Sequence, residues 1–202
     1  MIAAEDTALL LLAAGQSRRF EGEASKLDAP FGDLPLGVHV ARTLGPVPFR
    51  VRLAVVRSAA IDYSPLGFEI IENRDPVGDM ASSIRLGVQR AKEHAASAVL
   101  IALADMPRVT ASHVRALLEA ADGSDAIVAS TDGETAPRPP AVFGRRMFEQ
   151  LLSLSGDQGA RNLIRAGRHV ITASSDLIDI DTRADLAAVQ QRSHNDGAEH
   201  SR

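Results

Sequence analysis

The chain of 202 residues has no cysteine, no tryptophan and a single tyrosine, and aromatic residues make up only 3% of it. Without cysteine, disulfides, thiolate metal sites and a cysteine nucleophile are excluded together, and a cytoplasmic location is expected. With so few rings there is little on which successive nucleic-acid bases could stack. An excess of positive charge is missing too: 22 lysines and arginines face 26 aspartates and glutamates, a formal charge of −4. The basic surface that a DNA or RNA backbone requires is therefore not expected. No apolar run is long enough to span a bilayer, and the first residues do not read as a charged-then-apolar leader, so no membrane partner is expected either. Six histidines occur without metal-binding spacing, and His39, His94 and His113 fall on expected helices as surface or packed residues. A small anionic ligand is the natural remaining class.

What the chain does have is alternation. Apolar runs predict strands at 7–12, 51–56, 68–71, 98–103, 125–129, 141–143, 169–172 and 177–180. Between them, helices are predicted at 36–44, from the cap Asp79 to about 94, from the cap Thr110 to 121, at 145–154, from the cap Asp157 to 166, and from Thr182 onward. The T-R-A-D run from Thr182 reads as a capping box with Asp185 in the place of glutamate. Residues 131–140, rich in proline, glycine and charge, read as loop. The pattern implies one α/β domain over residues 1–192: a three-layer α/β/α arrangement around a mostly parallel open sheet, Rossmann-like. Residues 193–202 have no apolar content and are expected to be a disordered tail.

Four stretches carry candidate chemistry. In the first, an apolar run breaks into Leu12-Ala13-Ala14-Gly15 and opens into Gln16, Ser17, Arg18 and Arg19. A buried strand followed by a small-residue turn and guanidinium groups suits phosphate, with glycine sparing both φ and the space a ligand's oxygens need. An ordinary βα turn is an equally good account of the spacing alone. Walker-type and dinucleotide glycine patterns are absent. In the second, Asp105 follows the apolar run 98–103, where open α/β sheets bind ligands. It could hold Mg²⁺ beside phosphates or merely shape the turn before Thr110. The third runs from Asn73 through Gly78 and Met80 to Ser82 and Ser83, and offers donors at a helix start, or simply a cap on Asp79. The fourth, residues 138–164, holds Pro139, Pro140, Gly156, Asp157, Gly159, Ala160 and Arg161, a second anion site or packing plus capping. Near the end, Asp179 and Asp181 would share a strand face, with Asp181 and Thr182 also readable as plain helix-start residues.

The first stretch resembles the L-A-A-G-x-S-x-R-M-G loop of the MobA-like nucleotidyltransferases, more narrowly their molybdenum cofactor cytidylyltransferase branch. Leu12, Ala13, Ala14, Gly15, Ser17 and Arg19 match; Phe20 replaces methionine, and Glu21 precedes the next glycine and the signature Lys26. The resemblance extends to L-A-D-M-P, with Ala104 for glycine, to D-I-D-T, with Arg183 and Ala184 for proline and glutamate, to the Asn73–Ser83 segment with Asp79 inserted, and to 138–164. It implies transfer of CMP from CTP to the terminal phosphate of a molybdopterin-type cofactor, with release of pyrophosphate. Arg19, Lys26 and Asp105 would be catalytic. Leu12, Ala13, Ala14, Gly15, Ser17, Asn73, Gly78, Met80, Ser82 and Ser83 would bind nucleotide. Pro139, Pro140, Gly156, Asp157, Gly159, Ala160 and Arg161 would bind the phosphorylated pterin. Asp105 and Asp181 would hold Mg²⁺, with Asp179 behind, and an apo-molybdoenzyme would be the receiving partner. GTP as donor, another phosphate acceptor, or a non-catalytic cofactor-binding accessory are the alternatives, the last suggested by Glu21 and Ala104.

Overall fold

Seven strands pair in the order β5-β4-β1-β6-β8-β7-β9 in a computed structural model that describes residues 1–15, 20, 25–57, 61–156 and 159–199, side chains beyond 191 excepted. In chain order the elements are β1 (Thr7–Ala13), the short hairpin β2 (Pro30–Phe31) and β3 (Leu34–Pro35), α1 (His39–Thr43), β4 (Val51–Val56) and β5 (Glu69–Glu72). There follow α2 (Met80–Glu93), β6 (Ala98–Leu103), α3 (Ala111–Ala120), β7 (Ile127–Thr131), β8 (Arg138–Gly144), α4 (Phe148–Leu152), α5 (Arg161–Ala166), β9 (Arg168–Ile171) and α6 (Arg183–Glu199). Every pairing in the large sheet is parallel except those of β8, which runs antiparallel to both β6 and β7.

The fully apolar run of β1 makes it central, because only a strand covered on both faces can use leucine at every position. Leu9 and Leu11 pack with α1 and α3 on one face, while Ala8 and Leu10 pack with α2, α4 and α5 on the other. Leu9, Leu10 and Leu11 are each at most 1% exposed, so each contributes about 1.5–3 kcal/mol of burial. A third, smaller cluster joins Phe31 and Leu36 to Ile180 and Val189, fixing α6 on the hairpin. From β1 the chain goes outward to β4 and β5 on one side, then returns to β6 on the other. That reversal opens a crevice at the carboxyl ends of β1 and β6. Since β8 runs the other way, its first residues, Arg138 and Pro139, lie at this same edge.

Three expectations need correction. Residues 177–180 form no strand: a 3-10 turn, Ser174–Leu177, leads into extended chain, and the Ile180 N–H donates to the Asp105 carbonyl (3.0 Å). With Leu177 and Ile180 buried against separate clusters, the apolar pair serves docking and not pairing. Arg138–Pro140 belong to β8 and not to a loop; the register is irregular at Ala129/Ser130, opposite the prolines, which have no N–H for a ladder. Finally, α5 begins at Arg161 after Ala160, which makes no side-chain cap bond. The last helix runs through Glu199, past Ser193, into the stretch expected to be a disordered tail. No helix among the described residues is long and apolar enough to cross a membrane.

Gly87 tests the packing of α2 on β1. A Cβ there would overlap the Leu10 methyl groups, and Leu10 is wholly buried. Alanine gains about 1 kcal/mol of helix propensity, but overpacking a filled core costs about 1–3 kcal/mol. Gly87→Ala is therefore expected to lower the unfolding free energy measured in urea, by up to about 2 kcal/mol.

Candidate functional site

Lys26 opens a 3-10 turn, Lys26–Asp28, held by Ser25, whose hydroxyl accepts the Leu27 N–H. Its ammonium lies 2.8 Å from Asp105 Oδ2 and 2.9 Å from Asp181 Oδ1, with only 8% of the side chain exposed. Asp105 comes from the tight turn after β6, where the Ala104 N–H donates to the Leu12 carbonyl and so ties that turn to the end of β1. Asp181 comes from the entry to α6, where the expected capping box forms: Asp185 Oδ2 accepts the Thr182 N–H (2.8 Å) and Thr182 Oγ1 accepts the Asp185 N–H (3.1 Å). Three segments far apart in sequence thus meet on one ammonium.

Burial alone would lower the Lys26 pKa, but the Asp105 carboxylate, and after it Asp181, outweigh burial and hold the group above the ordinary lysine range. Burial pushes Asp105 up against the pull of Lys26, and the negative charge of Asp179 adds to the rise. Asp105 Oδ1 is buried and has no hydrogen-bond partner among the described residues. A buried carboxylate oxygen without a donor is costly unless a ligand completes it. No group of three or more metal-ligating side chains gathers among the described residues. A hard cation here would have to draw its other ligands from substrate phosphates and water, as Mg²⁺ does.

At the entry to α2 the expected residues converge, but mostly on one another. Asn73 is 2% exposed; its Nδ2 donates to the hydroxyls of Ser82 and Ser83 (2.9 Å each) and its Oδ1 accepts the Asp75 N–H. These three residues therefore shape the loop from inside. Gly78 has φ +55° and takes the Arg57 guanidinium where a Cβ would stand, and Arg57 also donates to the carbonyls of Asp75 and Pro76. Gly15, by contrast, has no positive φ, and among the described residues a Cβ there would meet no atom within 4 Å. The expectation that φ requires glycine at 15 is thereby corrected.

A cavity of about 290 Å³ sits beside this cluster. Leu12, Met80, Pro139, Ala160 and Arg161 all line it, so the end of β1, the α2 entry and the 138–164 stretch share one chamber. Asp179, Arg138, Arg161 and Arg165 bring charge to an otherwise apolar wall. Pro140 is anchored behind: its carbonyl accepts Ser130 Oγ–H (2.7 Å), and the Ser130 oxygen meets His113 Nε2 (2.7 Å). His113 is buried, which lowers its pKa, and is a packed residue as expected. Gly156 and Gly159 stand at the α2 entry, Gly159 against Met80. Ala13 and Ala14 are buried at the end of β1. Ser17, Arg19 and Asp157, with Gln16, Arg18 and Glu21, lie outside the described residues.

Arg57 and Arg165 carried no motif. The i, i+4 spacing of Arg161 and Arg165 on α5 was the one available signal. Ala104, which departs from the family glycine, is fully buried in the core and does not face the chamber. Two other departures touch each other: the Arg183 guanidinium lies 5.3 Å from the Phe20 ring centroid, a cation–π contact that ties the first loop to α6.

The cluster predicts an order of stability. Lys26→Met leaves a buried carboxylate unpaired and is expected to cost about 3 kcal/mol at pH 7, more than Asp105→Asn, with the half-exposed Asp181→Asn at about 1 kcal/mol or less; urea titrations of the three variants check the ranking. Asp185 is held below the ordinary carboxylate range, chiefly by the Thr182 hydroxyl. Its stabilisation is present above the unfolded pKa of about 4 and is lost as pH falls through the lowered folded value. Asp185→Asn is expected to flatten the acid side of the stability–pH curve.

Comparison with known proteins accords with this geometry. A family model described as MobA-like NTP transferase domain matches residues 9–172. The purine catabolism protein PucB of Bacillus subtilis is 33% identical over 115 residues, 54% of this chain and 55% of that protein, so the chain spans about half the length of that relative. The crystal structure of the Mycobacterium tuberculosis Rv0371c homologue from Mycobacterium sp. strain JC1 superposes with a TM-score of 0.74 at 26% identity, over 93% of this chain and 98% of the other. A nucleotidyl transferase from Methanothermobacter thermautotrophicus gives 0.73 at 20% identity, over 92% and 96%. With most of its length matched and the strand-end residues assembled at the sheet's crevice, the chain belongs to the MobA-like NTP transferase family, and its domain is a nucleotidyltransferase domain.

Proposed function

We propose that the domain transfers CMP from CTP to the terminal phosphate of a molybdopterin-type molybdenum cofactor and releases pyrophosphate. The observation that carries this reading is the buried Lys26 ammonium shared by Asp105 and Asp181 at the β1/β6 crevice, with Asp105 Oδ1 lacking a hydrogen-bond partner among the described residues and a cavity alongside. The cytidylyl choice rests on Ala14 and on the Met80-Ser82 pattern; the pterin rests on the resemblance of 138–164 and on a chamber with an apolar wall and three arginines. The product would pass to an apo-molybdoenzyme in the cytoplasm.

The chemistry asks for little proton transfer. An acceptor phosphate oxygen, already anionic at neutral pH, forms a bond to the α-phosphorus, and the bond to the β-phosphate oxygen breaks with its electron pair leaving on pyrophosphate. Positioning and charge neutralisation are what such a step needs, which agrees with His113 being packed away. Backbone N–H groups from Ala14 to Ser17 would line the triphosphate as preorganised dipoles. Arg19 and Lys26 would meet the charge developing on pyrophosphate. Asp105 and Asp181, with Asp179 behind, fit Mg²⁺, which when bound supplies neutralisation of phosphate charge. Held in reserve by two carboxylates, Lys26 is fixed in place before substrate arrives.

A thermal-shift titration with CTP and GTP, each with and without Mg²⁺, tests the reading. A ligand at a hundred times its Kd stabilises by about 2.7 kcal/mol. A rise in Tm with Mg-CTP and little with Mg-GTP is expected, together with loss of CMP transfer by orders of magnitude in Asp105→Asn. A larger rise with GTP would overturn the cytidylyl assignment. No shift with either nucleotide, from protein that still melts cooperatively, would overturn the enzymatic reading in favour of a cofactor-binding accessory.

A further inference from the structure

Asp79 stands directly before Met80, and capping uses only half of its carboxylate. Oδ1 accepts the Ser82 N–H at 2.6 Å, the ordinary N-cap bond of α2. Oδ2 accepts the N–H of Gly156 at 2.9 Å, 77 residues away. The Gly156 carbonyl in turn meets the Ala81 N–H (3.4 Å). One turn further along α2, Arg85 donates to the Leu154 carbonyl and reaches towards Asp75 on the other side (3.9 Å). Gly159 lies so near Met80 that a Cβ would stand 2.9 Å from its sulfur. Both carboxylate oxygens are thus committed. The Ser82 N–H first, and the Gly156 N–H after it, hold the group ionised below the ordinary carboxylate range.

The two segments joined in this way wall the same chamber: Met80 from one, Ala160 and Arg161 from the other. We propose that Asp79 is a positioning residue that couples the nucleotide-side loop, residues 73–83, to the acceptor-side segment, residues 154–156 and 159–161, so that nucleotide held by the first sets the second for the acceptor. Coupling of this kind is reciprocal: an acceptor that orders the second segment tightens nucleotide by the same factor. The inference rests on the chamber being the site where both substrates meet.

Asparagine separates coupling from capping. It caps a helix as well as aspartate does, but it offers one acceptor oxygen where two N–H groups now find one each. The test is amide hydrogen exchange of the full chain with and without Mg-CTP, in wild type and in Asp79→Asn. In the wild type, Mg-CTP is expected to slow exchange about fivefold or more in both 73–83 and the acceptor-side segment, the lower range of allosteric coupling. In Asp79→Asn the slowing should persist in 73–83 and vanish in the acceptor-side segment. Should Asp79→Asn fail to melt cooperatively, Asp79→Ser, also a good cap but too short to span to Gly156, takes its place with the same expectation. Slowing in both segments of the variant would reduce Asp79 to a cap and overturn the proposal. Slowing confined to 73–83 in the wild type would overturn it too, while leaving the nucleotide site intact. No slowing anywhere would remove the nucleotide reading itself, and this inference with it.

Discussion

One ammonium group organises the crevice. Lys26 has little exposure of its own and would be expensive to bury alone; Asp105 and Asp181 make that burial tolerable, and their own closeness is tolerable because Lys26 stands between them. Each of the three comes from a different part of the chain: the turn after the first loop, the end of β6 and the entry to α6. Secondary bonds hold each segment to that geometry. The Ala104 N–H ties the β6 turn to β1, the Ile180 N–H ties the approach to α6 onto Asp105, and Asp185 closes the α6 cap. Removing the charge would leave these segments with carboxylates facing one another across a crevice built to bring them together.

The same arrangement places positive groups at the sheet edge of a chain whose net charge is negative. Positive groups are few but placed: Lys26 at the strand ends, Arg138, Arg161 and Arg165 around the chamber, Arg183 on Phe20. Each is localised by the fold and not by composition. The antiparallel β8 is central to this, because only a strand running against β6 can deliver its first residues to the edge where the parallel strands end. Arg138 and Pro139 reach the chamber by that reversal.

Strand and helix identities were legible because burial imposes periodicity. The run 51–56 and the run 98–103 are bounded in the structure as the sequence predicts, and Asp79, Thr110 and Thr182 act as the expected caps. The misread segments are those where local chemistry has two outlets. The stretch 177–180 has apolar residues enough for a strand, yet they are buried by separate clusters. Prolines argued for loop at 138–140, yet a register irregularity in β7 accommodates them at the start of a strand. Asn73, Ser82 and Ser83 read equally as donors for a ligand or as part of a cap; in the structure Asn73 Nδ2 donates to both serine hydroxyls and Ser82 Oγ–H to the Asp79 carbonyl.

By itself the sequence determined the alternation of buried strands and amphipathic helices, the chemical type of each candidate residue and its position at a strand or helix end, since these follow from local pattern and propensity. Tertiary structure decided which of those residues meet. The pairing of Lys26 with carboxylates 79 and 155 positions away, the second bond of Asp79 to Gly156, the contact of Phe20 with Arg183 and the shared chamber all depend on strand order and on the direction of β8. Strand order is a long-range choice, set by which apolar faces bury each other, and no local spacing along the chain encodes it.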